Sequence, residues 1–513
     1  MPVSEFDFTA LKDFVSSSRD TTLRGIAEKT GKKYSGSSSS MTSVLSHFHF
    51  LLSAWRRINP SAVSRIFPDF STSFTRITRA PAAVFLHHQD GKYAIDADKE
   101  FESLNILMHL GKSMEKLFTR SKDEFERYRR SSENKISAEE ENSMPEAFHY
   151  STQGDFVMRS QLDAHDSRLP GTGMFDLKSR AVVSIRMNAV NYEESLGYEI
   201  RKLVGDYESF EREFFDMIRA AFLKYSLQAR MGRMDGVFVA FHNVERIFGF
   251  QYFTLPEIDQ TIHGQYNTNL GDKEFRFSLD LWNKVLDLVT GRFPGRSLRI
   301  HFEARDTSIP YMNIFAEPVT DEEIAAIQTR NRVKIEARQR EILDLPGLES
   351  STLEEGSKDK GTEKEDESKG EEFREEESKD AGSKKTGSKE KGSKEAGSKE
   401  KGSKENRELL GLRLIITNKV NGVFVERPTA LKSTDNWTVG YEISEMTLAA
   451  AESQYSGCQN RRKKITEEKN DDVKQSAYVR KLRAISQRGR AYRDRQDKRD
   501  QERGVVVLGD SSS

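Results

Sequence analysis

Between residues 349 and 406 the chain offers almost nothing that can be buried. The stretch "GSKKTGSKEKGSKEAGSKEKGSKEN" repeats Gly-Ser-Lys every five residues, at Gly382, Gly387, Gly392, Gly397 and Gly402. Ordering a residue costs about 1–2 kcal/mol, and charged or small side chains cannot offset that cost by burial. Residues 349–406 therefore read as a disordered low-complexity insert. Whatever folds must be assembled from chain on both sides of it. Beyond the insert, "LRLIITNKVNGVFVERP" carries two strand-like runs around Asn421-Gly422, a hairpin signal, and "WTVGYEI" is a third strand. The expected organisation is a loosely ordered segment 1–33, a globular domain 34–348, the insert, a continuation of the same domain over 407–460, and a basic tail 461–513.

The 513 residues exceed what one simple core of usual size requires. A net charge of -1 argues neither for nor against nucleic acid, but its distribution is uneven. From Arg461 to Arg503 there are 16 Lys/Arg against 8 Asp/Glu, a surplus of 8. Such a segment is a solvated helix, an arm, or a contact for phosphate backbones. The one cysteine, Cys458, excludes an internal disulfide framework and a Cys-rich zinc site, and it suits a reducing compartment. No run approaches the roughly 20 apolar residues of a membrane helix. "MPVSEFDFTALKDF" is acidic early and has no Arg before Arg19, a poor secretory or mitochondrial leader. Either the protein is cytosolic or its natural start lies upstream.

Periodicity supplies the elements. "SSSSMTSVLSHFHFLLSAWRR" reads as a Ser-capped helix, "AAVFLHHQDGKYAID" as a hairpin turning near Asp90-Gly91, and "FESLNILMHLGKSMEKLF" as a second helix. A looped charged stretch follows, from about Arg120 to Ser143. "DFVMRSQLDAHD" and "MFDLKSRAVVSIR" read as two strands joined by a turn at Pro170, Gly171 and Gly173. One long amphipathic helix is expected over 206–231, with Asp206 as its cap. "GVFVAF", "RIFGFQYF" and "LRIHFEA" read as strands, "SLDLWNKVLDLV" as a helix, and the capping box Thr320–Glu323 opens another. Strands interleaved with helices predict an α/β fold, a mixed β-sheet flanked by helices.

The two strands around the Pro-Gly turn carry the chemistry. Side chains two apart on a strand share a face. One face of the second run is Phe175, Leu177, Ser179, Ala181, Val183 and Ile185; the other is Asp176, Lys178, Arg180, Val182, Ser184 and Arg186; one face belongs in the core and the other toward solvent or a cleft. If the strands pair, Asp163 and Asp176 converge, with Lys178 about 7 Å further along. Two carboxylates and a lysine suit metal-assisted phosphodiester cleavage. The acids hold Mg²⁺ or Mn²⁺, and the amine offsets charge on the phosphoryl oxygens. An isolated Asp-x-Lys is also what a solvated strand face carries, with an ion pair worth about 0–1 kcal/mol.

The arrangement resembles the PD-(D/E)XK nuclease superfamily, restriction-endonuclease-like in core, with acids and lysine on its second and third strands. Asp163 matches the first acid, and Asp176 and Lys178 match the (D/E)XK element. The spacing looks like the RecB-type branch. That likeness implies a histidine on the first helix as a further metal ligand: His47, with His49 in reserve. The branch's Gln-x-x-x-Tyr is not reproduced, since Tyr225 and Gln228 run in the opposite order. Lys224, Gln228, Arg230 and Arg233, with Arg159 and Arg180 on the two strands, are the candidate contacts to substrate phosphates.

A longer resemblance runs through "GSSSSMTSVLSHFHFLLS", "RSQLDAHDSRLPGTGMFDLKSRAVVSIRM", "ESFEREFFDMIRAAFLKYSLQARMGRMDGVFVAFHN", "RIFGFQYF" and "ITNKVNG". These are similar to the fungal mitochondrial mRNA-degradation proteins of the petite class, over about 34–345 and again to about Lys464. That resemblance implies mitochondrial localisation and metal-dependent exoribonuclease activity, 5′-to-3′, in RNA 5′ processing and decay. It also implies single-stranded RNA as partner, contact with mitochondrial RNA-decay enzymes, peripheral membrane association and no small-molecule organic cofactor. A non-catalytic RNA-processing scaffold and a mitochondrial DNA exonuclease are the alternatives.

Other signals are weaker. Asp235 can meet substrate or cap local structure. Phe238, Phe241, Phe248, Phe250, Tyr252 and Phe253 can stack on bases but sit at core spacing. His87 and His88 are adjacent on a strand and point to opposite faces. "TRITRAP" (75–81) is a short basic segment. The chain has no Walker loop, GxSxG or HExxH, which disfavours an ATPase, a serine hydrolase and a zinc protease.

Overall fold

Ser37 caps a helix at the centre of the main hydrophobic core. Its Oγ accepts the Ser40 N–H while Ser40 Oγ accepts the Ser37 N–H, a reciprocal cap. The helix that follows, α2 (Ser38–Leu52; α1 is Thr21–Lys29), is buried from Ser40 to Leu52 apart from Ser43. A helix buried on nearly every side belongs inside a core. The computed structural model describes residues 1, 5–12, 14–68, 71–102, 106–331, 408–466 and 476–504. The Gly-Ser-Lys insert lies outside the described residues.

Ten strands form the main sheet. They are β1 (Tyr34–Ser37), β2 (Ala82–Gln89), β3 (Lys92–Ala97), β4 (Phe148–Gln153), β5 (Phe156–Gln161), β10 (Leu298–Arg305), β11 (Tyr311–Pro318), β12 (Leu410–Val420), β13 (Val423–Val425) and β14 (Trp437–Glu445). Their order is β13-β12-β11-β10-β2-β3-β1-β5-β4, with β14 on the other side of β12. The β1–β3 and β1–β5 pairs are parallel and the rest antiparallel, so the sheet is mixed. β12 lies after the insert in sequence, yet Leu410 to Ile415 pair with Ala316 to Tyr311 of β11. The hairpin at Asn421-Gly422 forms with φ of 52° and 83°, the left-handed pair such a tight turn needs.

A second sheet has the order β6 (Ala164–His165), β7 (Met174–Ala181), β8 (Gly236–His242), β9 (Ile247–Thr254). The parallel β7–β8 pair is bridged by α6 (Val183–Arg186), α7 (Phe210–Ala220) and α8 (Phe222–Gly232). The remaining helices are α3 (Ile106–Thr119), α4 (Lys122–Glu126), α5 (Ala138–Ser143), α9 (Leu255–His263), α10 (Asn269–Arg292), α11 (Asp321–Thr329), α12 (Leu448–Thr466) and α13 (Ala477–Arg503). The core between the sheets and α2, α8 and α10 is aromatic: Trp282 of α10 meets Phe48, Phe156 and Phe302. The architecture is mixed α/β, a large mixed sheet flanked by helices.

Four expectations are corrected. The alternating run 155–166 is not one strand: Phe156–Gln161 joins the large sheet and Ala164–His165 the small one. The strand beginning at Met174 ends at Ala181, where Val183 N–H is taken by Glu213 Oε1 at 2.8 Å and a helical turn begins. The long helix starts from Ser209 rather than Asp206 and breaks at Ala221, whose φ of -127° interrupts it. The N-terminal segment, expected to be loose, is tied down. Arg159 reaches Asp20 and the Val15 carbonyl, and Ser18 N–H donates to Asp96 at 3.2 Å. No helix among the described residues is long and apolar enough to cross a membrane.

Candidate active site

Asp163 stands where the chain leaves one sheet for the other. Leu162 N–H still donates to Ala147 beside β4, and Ala164 already pairs with Phe175 of β7. The turn that returns the chain needs Gly171 and Gly173, at φ +77° and +69°. Asp235 caps this turn, accepting from Thr172 N–H at 2.7 Å and from its hydroxyl, so of its two expected roles it takes the structural one. The switch brings the Asp163 carboxyl to β7. Oδ2 accepts the Leu177 N–H at 2.9 Å, and the group lies within hydrogen-bonding reach of Asp176.

Asp176 and Lys178 occupy the polar face of β7, which turns out to be the more enclosed one. Asp176 is 4% exposed, whereas Phe175 and Leu177 are half-buried. Lys178 Nζ donates to Asp176 Oδ1 at 2.7 Å; Asp176 Oδ2 is buried with no hydrogen-bond partner. Burial and then the Asp176 charge raise the Asp163 pKa well above the carboxylate range, against the pull of Lys178. Burial works against the Lys178 ammonium, but Asp176 and Asp163 outweigh it and keep the amine protonated. All three line one cavity of about 880 Å³. Two crowded carboxylates, one with an unsatisfied buried oxygen, fit a divalent cation held through oxygen ligands.

The other expected site residues divide. Gln228 lines the same cavity, its Oε1 buried without a partner. Lys224 is exposed and close enough to feel the Lys178 and Asp176 charges. Arg180 continues the Asp176 face of β7, with Nε and Nη2 buried and unpartnered; burial and then Arg186 lower its pKa to about 10. Arg233, exposed, lines an adjoining cavity of about 1010 Å³ that shares Tyr150 and Met234 with the first.

Three expectations fail. His47 is 1% exposed and both its ring nitrogens serve the backbone: Nε2 donates to Ala80 at 2.9 Å and Nδ1 accepts from Ala304 at 3.1 Å. Burial lowers its pKa to about 4, and it joins neither aspartate. Arg159 reaches the cavity wall, but its guanidinium is committed to Asp20 and the Val15 carbonyl. Arg230 is buried between Asp259, at 2.5 Å, and Asp272, at 3.0 Å.

Glu115 of α3 was not anticipated. It lines the cavity, and burial raises its pKa against the pull of Lys116 and Lys178. Flanked by Lys112 and Lys116 on an amphipathic helix, it carries the signature of a solvated face. His49, the reserve ligand, lies apart from the cavity lining in a buried group with His263 and Glu274, whose ligand atoms all fall within 4.8 Å of one another. The Arg56 guanidinium is already there, with Nη1 3.3 Å from both His263 Nδ1 and Glu274 Oε2. That cluster reads as a buried charge network tying α2, α9 and α10 together.

A sequence model described as mitochondrial protein Pet127 matches residues 14–287, more than half of the chain. The chain belongs to the Pet127 family of mitochondrial proteins. A Pet127 relative from Schizosaccharomyces pombe, named mRNA degradation protein pet127, mitochondrial, is 40% identical over 332 residues, 63% of this chain and 62% of its own. Saccharomyces cerevisiae PET127, named for the mitochondrial translation system, is 40% identical over 302 residues, 58% of this chain and 35% of its own. The chain thus spans about three-fifths of the first relative and a third of the second. Solved structures of Rai1 cover 66% of the chain. One is from Scheffersomyces stipitis, with (3'-NADP)+ and calcium ion (10% identity, TM-score 0.29, 86% of that chain). Another is from Candida albicans, with pU5-Mn2+ (12%, 0.28, 86%).

Proposed function

We propose that this Pet127-family chain is a divalent-metal-dependent phosphodiesterase of PD-(D/E)XK type that degrades single-stranded RNA in mitochondria, as a 5′-to-3′ exoribonuclease. The observation that carries the reading is the meeting of Asp163, Asp176 and Lys178 in one cavity, with Asp176 Oδ2 buried and unsatisfied. The name of the S. pombe relative, for mRNA degradation, supports RNA as the substrate class.

Asp163 and Asp176 would hold Mg²⁺ or Mn²⁺, with Glu115 a further carboxylate on the cavity wall that feels the Lys178 charge. When bound there, a cation would supply positive charge that offsets the repulsion between the carboxylates and would give Lewis-acid chemistry toward a phosphate and water. The chain's own groups do the rest. Lys178, kept charged by its neighbours, stabilises negative charge on the phosphoryl oxygens. Gln228 offers an unused acceptor, and Arg180 has unpartnered guanidinium nitrogens on the same strand face. Lys224 adds charge beside Lys178, and Arg233 extends the positive track into the adjoining cavity.

The test is cleavage of labelled 5′-monophosphate RNA and DNA by the purified chain and its Asp176→Asn variant, with and without Mg²⁺ or Mn²⁺. Metal-dependent loss of RNA that the variant lacks is expected. Equal loss in both proteins overturns the reading; no loss in either overturns it in favour of a non-catalytic scaffold; cleavage of DNA with RNA spared makes the chain a DNA exonuclease.

A further inference from the structure

Six cations line the catalytic cavity, and four are already spoken for. Lys178 pairs with Asp176, Lys116 with Glu141 at 2.6 Å, Arg159 with Asp20, and Lys12 with the Met144 carbonyl. The other two, Arg19 and Lys112, are exposed, and their side chains have no hydrogen bond or ion pair with any described residue. They come from different elements, Arg19 from the N-terminal strap and Lys112 from α3.

The backbone of Arg19 is fixed from both sides. Before it, Ser18 N–H donates to Asp96, and Ser17 Oγ accepts the Ser37 N–H at 3.0 Å. After it, Asp20 accepts the Leu23 N–H at 2.9 Å, capping α1, and takes the buried Arg159 guanidinium. The strap residues on either side are spent on anchoring, while the side chain between them is left free at the cavity. Positioning a cation in advance reduces the entropy lost when it meets a ligand. Ser38 and Ser39, in the first turn of α2, line the same cavity, where a helix start adds a favourable potential for anions.

We propose that Arg19 and Lys112 form a phosphate subsite of the catalytic cavity, distinct from the scissile position at Asp163, Asp176 and Lys178, that holds a second phosphate of the RNA strand. This rests on the proposed RNA cleavage and deepens it. The strap is then a substrate-holding wall, and Arg159, expected to touch RNA directly, acts through Asp20 by keeping Arg19 in place.

The experiment uses the full chain carrying Asp176→Asn, so that RNA is bound but not cut. Binding of a 3′-labelled single-stranded RNA decamer, as 5′-monophosphate and as 5′-hydroxyl, is followed by fluorescence anisotropy across a NaCl series. Arg19→Ala and Lys112→Ala are each expected to weaken binding about tenfold and to reduce the slope of log K against log [NaCl] by about 1, while Arg19→Lys keeps the slope. Equal weakening of both RNAs puts an internal phosphate in the subsite; weakening of the 5′-monophosphate RNA alone puts the terminal phosphate there. Unchanged affinity and slope in both alanine variants overturns the proposal. Metal-dependent cleavage by the chain without Asp176→Asn is read separately, so the subsite can fail while the nuclease reading stands.

Discussion

Lys178 Nζ lies 2.7 Å from Asp176 Oδ1, two residues back on the same face of β7. The pair leaves the other Asp176 oxygen buried and unsatisfied beside Asp163, so amine and carboxylates share one small volume. Removing either end of the pair should then affect chemistry more than folding. Asp176→Asn and Lys178→Met are each expected to lower metal-dependent RNA cleavage on the order of 10²–10³-fold, with far-UV circular dichroism unchanged. Cleavage within tenfold of the natural chain in both variants would remove them from the reaction.

The carboxyl pair also sets a pH dependence of known sign. The Asp163 pKa is raised in the folded chain, by burial and then by Asp176. Above its unfolded-state value of about 3.9, the folded chain holds a proton that the unfolded chain has released, so rising pH costs stability until the folded-state pKa is passed. In EDTA, Asp163→Asn should therefore gain Tm over the natural chain, and the gain should widen from pH 4 towards neutrality. Mn²⁺ should raise the Tm of the natural chain more than that of the variant.

Asp98 behaves oppositely. Burial works against its charge, but Arg462 of α12, at 3.1 Å, and Arg299, at 2.7 Å, hold its pKa down to about 2. The contribution, about 2 kcal/mol, is present in full above about pH 4 and is lost as pH falls towards 2. Asp98→Asn should lower Tm at pH 7, with the deficit shrinking below pH 4 in a thermal melt.

His47 should matter to folding and not to turnover. Its two ring nitrogens satisfy Ala80 and Ala304 on separate segments. Losing two buried bonds to backbone in His47→Phe is expected to cost about 2 kcal/mol or more in urea unfolding. Cleavage per folded molecule should stay within twofold. A specific loss of metal-dependent activity would restore it as a ligand.

α13 docks through Val479, Leu482 and Ile485, and at Gly489 its backbone meets Gly197 so closely that a Cβ on either residue would strike the other chain segment. Gly489→Ala should undock the helix, lowering Tm and weakening RNA binding at low salt, because the ten Lys/Arg of Ala477–Arg503 exceed its four Asp/Glu. Unchanged salt dependence would separate this helix from RNA.

Features with local causes could be read directly. The Asn421-Gly422 turn, the Thr320–Glu323 cap and strands such as Gly236–His242 and Leu298–Arg305 are specified by their own residues. So was the Asp-x-Lys face, because alternation needs no partner to be visible. What was hidden depends on distant chain. Nothing within residues 155–166 signals that they leave one sheet for another at Asp163. β11 escaped because it is buried on both faces, Asn313 and Glu317 included, and so shows no alternation of polarity. Arg159, Arg230 and His47 looked available because Asp20, Asp259 and Ala304 are remote in sequence.

The pairing of β11 with β12 sets an order of events for the nascent molecule. Until residues beyond 407 have emerged, the edge from Tyr311 to Ala316 has no neighbour to shield it, and a bare edge can recruit the wrong strand. The Gly-Ser-Lys tract lies between these two strands in sequence. The burden falls on assembly: each residue added there lengthens the interval in which a half-built sheet waits, and a chaperone's hold on that edge would be timed by the tract.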